Sequence, residues 1–492
     1  MKKLALWSIL LLLSVGLTVP AQAQLAKQKD LSMEDIQVEI NRLAEAGDDE
    51  SKAQMAKEAA AFAKTNNEQY RMLAASIYRF LGDTDEAQKV NDGILKKFPR
   101  GIKARSDEMG AIFSNKESSA LEKQAAYEAW LKKFPSDRFA DDQQTAYTQA
   151  ASSLGRELIN EGHTDKLQAL IAGVPAAEGV NYSLISTLSS ALISKKQYKE
   201  ALPLLEPAFS QAKNEEEKLA IHRNIISQYA NSLISGGEPE KGLEIIEELM
   251  AESPAAGASA ANILAMSNGY AQMGRTFDAF HILENYLLTR AVNSQMFGAM
   301  EQLYQKLNNG KGDFASYKEG LDQRVLKGLK ERHKASMVKN EAPTFSLRNM
   351  KGELVSLEDM RGKIVVLDFW ATWCGPCIVS FPGMQMAVNR YENDPDVEFL
   401  FIDTWQNEEN YVELVTNFIA ENQYTFHVLY DEMKERDKAT VTAYGVRGIP
   451  TKVFIDKDGF IRFQSAGGSA DNENVLTEVV AKIELIRELQ GE

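Results

Sequence analysis

Cys374 and Cys377 are the only cysteines in 492 residues, and they stand three apart in Trp373-Cys374-Gly375-Pro376-Cys377. Thiol chemistry in this chain is therefore confined to one short segment. A disulfide-stapled domain spreads several cysteines through its core, and a structural zinc site needs further ligands nearby. A lone Cys-x-x-Cys suits a reversible dithiol better than either. The apolar run 364–369 before the pair reads as a buried strand, and 378–391 after it as a helix, which places Cys374 at a helix N-terminus. Unpaired N–H groups and the helix dipole favour a thiolate there, the attacking species in disulfide exchange. Pro376 fits the first turn, where its missing N–H costs nothing. Cys377 falls one turn further in, within reach of Cys374 but better shielded, so the spacing separates an attacking from a resolving cysteine.

Other chemistries find little support. His163, His222, His281, His333 and His427 are scattered without metal-ligand spacing, and no Gly-rich phosphate loop is present, so no metal or cofactor is expected. Gly467-Gly468 reads as a turn. Reduction of peroxide through a single cysteine is disfavoured, because the motif is a dithiol. With 55 basic against 70 acidic side chains, the net charge of −15 argues against nucleic acid or anionic lipid as partners. Residues 341–492 hold 14 Lys/Arg and 26 Asp/Glu, so most of the imbalance lies there.

The elements that must position the dithiol occupy the last third of the chain. Short strands are expected at 345–347, 354–357, 364–367, 397–403, 427–430, 451–456 and 460–464, with helices at 408–421 and 474–489. Strands alternating with helices imply a mixed sheet covered on its faces. Upstream, from about 30 to 339, the chain is rich in Ala, Leu, Glu, Lys and Gln with apolar residues at helical spacing and breaks every 15–20 residues, the rhythm of helical hairpins. The phrase Ile94-Leu95-Lys96-Lys97-Phe98-Pro99 returns 36 positions later as Trp130-Leu131-Lys132-Lys133-Phe134-Pro135. At the start, Lys2 and Lys3 precede an apolar run, 4–19, and Ala21-Gln22-Ala23, the pattern of an export signal cleaved after Ala23. The bacterial look of that signal points to the periplasm. The protein would be membrane-anchored if the signal stays uncleaved, and beyond Ala23 no stretch is apolar and long enough to span a bilayer.

Two resemblances sharpen this reading. Tyr78, Gly82, Ala87, Ile94 and Pro99 have the spacing of a tetratricopeptide repeat. Partial copies follow at Tyr198, Ala201, Leu205 and Ala208, at Gly242, Ile246, Leu249 and Pro254, and at Tyr270, Phe277, Ala279, Leu283 and Tyr286. Asp368-Phe369-Trp370-Ala371-Thr372-Trp373-Cys374-Gly375-Pro376-Cys377 resembles the active-site segment of thioredoxins, with Pro382 at their helix-kinking position and Val446-Arg447-Gly448-Ile449-Pro450-Thr451 at their cis-proline loop. Ala342-Pro343-Thr344-Phe345-Ser346-Leu347 with Gly352, Leu357 and Gly362-Lys363 looks like the opening hairpin of exported reductases of the TlpA/ResA type. Ile378, Ser380 and Asp368 depart from the residues that relatives often carry there.

The expected architecture is α + α/β: a signal at 1–23, an all-α tetratricopeptide-like hairpin array at 24–339, and a thioredoxin fold at 340–492. The resemblance implies a Cys374–Cys377 disulfide in the oxidised state, a proton acceptor at Asp368, and substrate contacts from Trp373, Gly375, Pro376 and a cis Ile449–Pro450 loop. Trp370 reads as packing, and Trp405 as a residue bordering the same face. The expected function is an exported thiol-disulfide oxidoreductase, a reductant of disulfide-containing client proteins that draws electrons from an upstream donor the sequence does not identify. Two alternatives stay open: a redox-sensitive adaptor whose helical arm is the working part, and a disulfide oxidant or isomerase. The client and the oligomeric state are not legible.

Overall fold

The structure is a computed structural model that describes residues 25, 31–139, 145–174, 181–215, 218–290, 292–406, 408, 410–431 and 438–491. The signal-like segment lies outside them. Two compact units divide between Tyr229 and Ala230, inside the helix Ala220–Gly236. Among the described residues, every element from Met33 to Lys334 is helical and the strands begin at Asn340.

The first unit is a run of helical hairpins. Asn67 and Asp83 cap the N-termini of Glu68–Phe80 and Thr84–Lys97 with side-chain oxygens, and Gly82 makes the turn between them at φ 86°. The repeated phrase is a repeated helix ending. Phe98 closes Thr84–Lys97 at φ −124°, ψ 64°, and Phe134 closes Ala120–Lys133 at φ −125°, ψ 70°. Neighbouring hairpins are tied by the Glu68 carboxylate, which accepts from the N–H groups of Ile102 and Lys103 at 2.9 Å each, 34 and 35 residues on. A Cβ on Gly101 would lie 2.1 Å from a Glu68 oxygen, so a larger residue there would displace the carboxylate from these donors.

The second unit holds both the last helices and the sheet. Eight strands, β1 Asn340–Glu341, β2 Ser346–Asn349, β3 Leu354–Ser356, β4 Ile364–Trp370, β5 Val397–Asp403, β6 Val428–Tyr430, β7 Thr451–Ile455 and β8 Phe460–Ala466, lie in the order β1-β8-β7-β4-β5-β6-β2-β3. β4 pairs in parallel with β5 and antiparallel with β7, so it is central and buried along its whole length. Alternation splits its side chains between two cores. Ile364, Val366 and Trp370 face the helices Gly375–Arg390 and Asn472–Gln490, whereas Val365, Leu367 and Phe369 meet Val441, Tyr444 and Val453.

The helix Phe314–Lys334 joins this domain rather than standing apart from it. Leu321, Val325 and Leu329 share a core with Ala481 of the C-terminal helix. His333 pairs with Glu478 at 3.0 Å, Lys330 pairs with Glu488, and Ser294 N donates to Asp471 at 2.7 Å. His333 and Lys482 together hold the Glu478 carboxyl down at about 2 against its partial burial. The switch from helix to strand at Asn340 is therefore not where the compact units part.

Candidate active site

β4 delivers the chain to the loop 371–373, and the next helix begins at Gly375 with Cys374 as its N-cap. Cys377 N donates to Cys374 Sγ at 3.2 Å, so the sulfur occupies the place a capping oxygen would take and faces the helix's unpaired donors. Pro376 lies in the first turn and Pro382 inside the helix. The two sulfurs are bonded, with Cα atoms 5.3 Å apart. Ser380, where an acid would stand in many relatives, is buried and donates to Cys377 O at 2.9 Å.

The Ile449–Pro450 peptide is cis. Pro450 is buried and Ile449 half-buried, and no backbone partner for Ile449 exists among the described residues. Gly467-Gly468 does more than turn the chain. Gly467 N donates to Pro450 O at 2.8 Å, and a Cβ on Gly468 would stand 2.4 Å from Pro376 O and 3.3 Å from Pro450 Cγ. The pair thus closes the gap between the dithiol turn and the proline loop. Gly468→Ala is expected to cost about 1–3 kcal/mol by overpacking and to slow exchange through displacement of Pro376, checked by thermal unfolding and turnover on a small disulfide.

The tryptophans divide their roles. Trp373 is 50% exposed, and its Nε1 donates to Trp405 O at 3.2 Å, with Trp405 in the left-handed region at φ 56°. Trp370 is fully buried against Phe381 and Phe418, with ring centroids 5.0 and 5.6 Å away.

Asp368 lies on the face of β4 covered by the active-site helix, two residues before Trp370 and 1% exposed. Burial raises its carboxyl above the ordinary range, against the opposing pull of Lys452. Lys452 sits directly across the β4–β7 ladder, its Nζ 3.3 Å from Asp368 Oδ2, and neither group has a hydrogen bond among the described residues. Sequence reasoning missed Lys452. Its signal was a lone charge inside the apolar strand Thr451–Ile455. A second buried acid, Asp403, was missed as well, at the end of β5 in register with Trp370.

With this geometry in hand, the similarities fall into place. Residues 338–464 match the model of the AhpC/TSA family. The thiol-disulfide oxidoreductase ResA of Bacillus cereus is 31% identical over 159 residues, 32% of this chain and 86% of the relative. The chain belongs to the ResA-type thiol-disulfide oxidoreductases. ResA of Bacillus thuringiensis subsp. konkukian is 34% identical over 143 residues, 29% of this chain and 76% of that protein. A solved thiol:disulfide interchange protein of the thioredoxin family from Chlorobium tepidum TLS is 23% identical, with a TM-score of 0.25, covering 30% of this chain and 97% of that one. The oxidoreductase thus carries its ResA-like part together with a long helical region that these alignments leave uncovered.

Proposed function

We propose that this oxidoreductase is an exported reductant of partner-protein disulfides, acting through Cys374 and Cys377, with the helical region choosing the partner. The carrying observation is the placement of Cys374 as the helix N-cap, where a thiolate is stabilised, with Cys377 one turn inside. In the reduced protein the Cys374 thiolate attacks a partner disulfide; an S–S bond to Cys374 forms, and one partner sulfur leaves with the electron pair. Cys377 then loses its proton and attacks Cys374 Sγ, which forms the Cys374–Cys377 bond and releases the second partner thiolate. Two electrons pass to the partner, and an upstream dithiol restores them.

Asp368 is the proposed acceptor of the Cys377 proton: burial raises its carboxyl above the ordinary range, which makes its carboxylate a stronger base, and Lys452 lies 3.3 Å away as its counter-charge. Trp373, Gly375, Pro376 and the Ile449–Pro450 loop form the proposed contact surface, where an extended client segment pairs with the unpartnered Ile449 backbone. The N-terminal signal pattern supports a periplasmic location, and Gly-Pro between the cysteines supports the reducing direction.

The helical region has no cysteine, so its contribution is selection or positioning. Trapping tests this. Cys377→Ser in the full chain is expected to capture a narrow set of exported proteins as mixed disulfides. The same substitution in a chain without residues 24–229 should react equally well with a small disulfide but lose that set. The cut is placed at 229 because Phe314–Lys334 is bonded to the C-terminal helix. An identical captured set from both proteins would remove the selecting role.

A further inference from the structure

Behind the dithiol turn, one buried carboxylate joins the two loops that the exchange steps above bring to a client. Loop 404–406, which leaves the end of β5, holds the active-site loop by three bonds. Thr404 N donates to Trp370 O at 2.9 Å, Gln406 Nε2 to Thr372 Oγ1 at 2.8 Å, and Trp373 Nε1 to Trp405 O at 3.2 Å. Thr404 and Gln406 are buried, and Trp405 is kept at φ 56°, a conformation that a bulky residue adopts only where its surroundings hold it.

Asp431 stands directly after β6, 2% exposed, and three donors converge on its carboxylate. Thr404 Oγ1 donates to Oδ2 at 3.1 Å, Val441 N to the same oxygen at 2.9 Å, and Thr440 N to Oδ1 at 2.7 Å. Its own N–H donates to Asp403 O at 3.0 Å and fixes it against the end of β5. The Asp403 side chain is not part of this bridge; burial first, with the acids Asp431 and Glu408 nearby, pushes its carboxyl up to about 8. From Thr440 and Val441 the chain turns straight into the proline loop. Val446 N donates to Val441 O at 3.1 Å, four residues before Pro450, and Tyr444 packs on Phe369 of β4 with ring centroids 5.6 Å apart. At the surface the dithiol turn and the proline loop meet through Gly467-Gly468. Asp431 is a second connection between them, and it runs through buried groups.

We propose that the Asp431 carboxylate is a positioning group for thiol exchange, a clamp that sets the dithiol turn against the Ile449–Pro450 loop through Thr404 on one side and Thr440 and Val441 on the other. Asp431 and Thr404 act through these loops and touch neither sulfur. The clamp rests on the proposed client contact surface only in its effect on exchange rate, so the two readings fail separately.

Amide hydrogen exchange of the oxidised full chain, read by mass spectrometry of its peptides, tests the clamp without any substrate. Thr404→Val keeps the side chain's shape and removes the hydroxyl that joins the loops. It should speed exchange about two- to tenfold, the range for one lost hydrogen bond, both at Cys374, whose N–H donates to Ala371 O, and at Val446, while the helix Asn472–Gln490 keeps its wild-type rate. Asp431→Asn turns one acceptor into a donor against the converging N–H and O–H groups, and its effect at Val446 should be larger. Should Asp431→Asn fail to fold by circular dichroism, Thr404→Val decides alone. An unchanged rate at Cys374 or at Val446, a change confined to residues 403–406, or an equal rise that includes Asn472–Gln490 overturns the clamp. In the reduced protein, Thr404→Val should lower the rate with a polypeptide disulfide at least about fivefold more than the rate with a small disulfide, since only the polypeptide must meet both loops at once. Equal losses with the two substrates would overturn the positioning role. A wild-type protein that reduces neither substrate, with the expected exchange pattern in its variants, would count against the proposed function and leave the clamp standing.

Discussion

Cys374→Ser is expected to lower the rate of thiol exchange by at least about three orders of magnitude, because a serine hydroxyl supplies no thiolate near neutral pH. Cys377→Ser should behave differently. It keeps the first attack and loses the second, so mixed disulfides accumulate on Cys374 instead of resolving. The asymmetry follows from position. Cys374 caps the helix and its sulfur accepts from Cys377 N, whereas Cys377 lies one turn further in; in the oxidised protein Cys374 is 3% exposed and Cys377 has no exposure. Peptide mapping of the trapped adduct under non-reducing conditions checks the order of attack. Adducts of equal yield on either remaining cysteine would show that the helix N-terminus does not select the nucleophile.

The second large effect is on stability. Asp403→Asn should make the oxidised protein more stable at pH 7, by about 2–4 kcal/mol at 1.36 kcal/mol per unit of displacement. The sign follows from the raised carboxyl, about 8 in the fold against an ordinary 3.8. A group raised in the folded state contributes its full stability below the unfolded value, and that contribution is lost as pH rises toward and through the folded value. Between about 4 and 8 the unfolded chain releases a proton that the folded chain must keep. Asparagine removes this penalty while preserving shape. The gain should thus be near zero at pH 4, grow through neutrality and level off above pH 8. Urea unfolding of wild type and variant at pH 4 and pH 7.5 measures it. Equal destabilisation at both values would mean that the carboxylate is ionised and well partnered in the fold.

The strands, the helix behind Cys374 and the hairpin character of the described helices from Met33 to Lys334 were legible because each is a local pattern. β4 announces itself as an unbroken apolar run ending in Trp370, and Cys374-Gly375-Pro376-Cys377 follows it directly. What escaped depends on contacts between distant segments. Asp368 and Lys452 meet only because β4 and β7 pair in one register, 84 positions apart in the chain. Asp403 is the last residue of the strand expected at 397–403, and nothing local reveals that it is buried. Gly468 read as a turn, since nothing local reveals that Pro376 and Pro450 approach it from two sides. The division at 229/230 was hidden for the same reason: Leu321, Val325 and Leu329 have the ordinary spacing of an arm helix, and their partner Ala481 lies near the end of the chain.

The reduction potential of the Cys374/Cys377 pair in the full chain, equilibrated against glutathione and dithiothreitol buffers at pH 7, tests the reducing role most directly. A working reductant requires a value in the range of thioredoxin and glutaredoxin dithiols, about −200 to −270 mV, and a value near −120 mV would make the pair an oxidant and contradict the account.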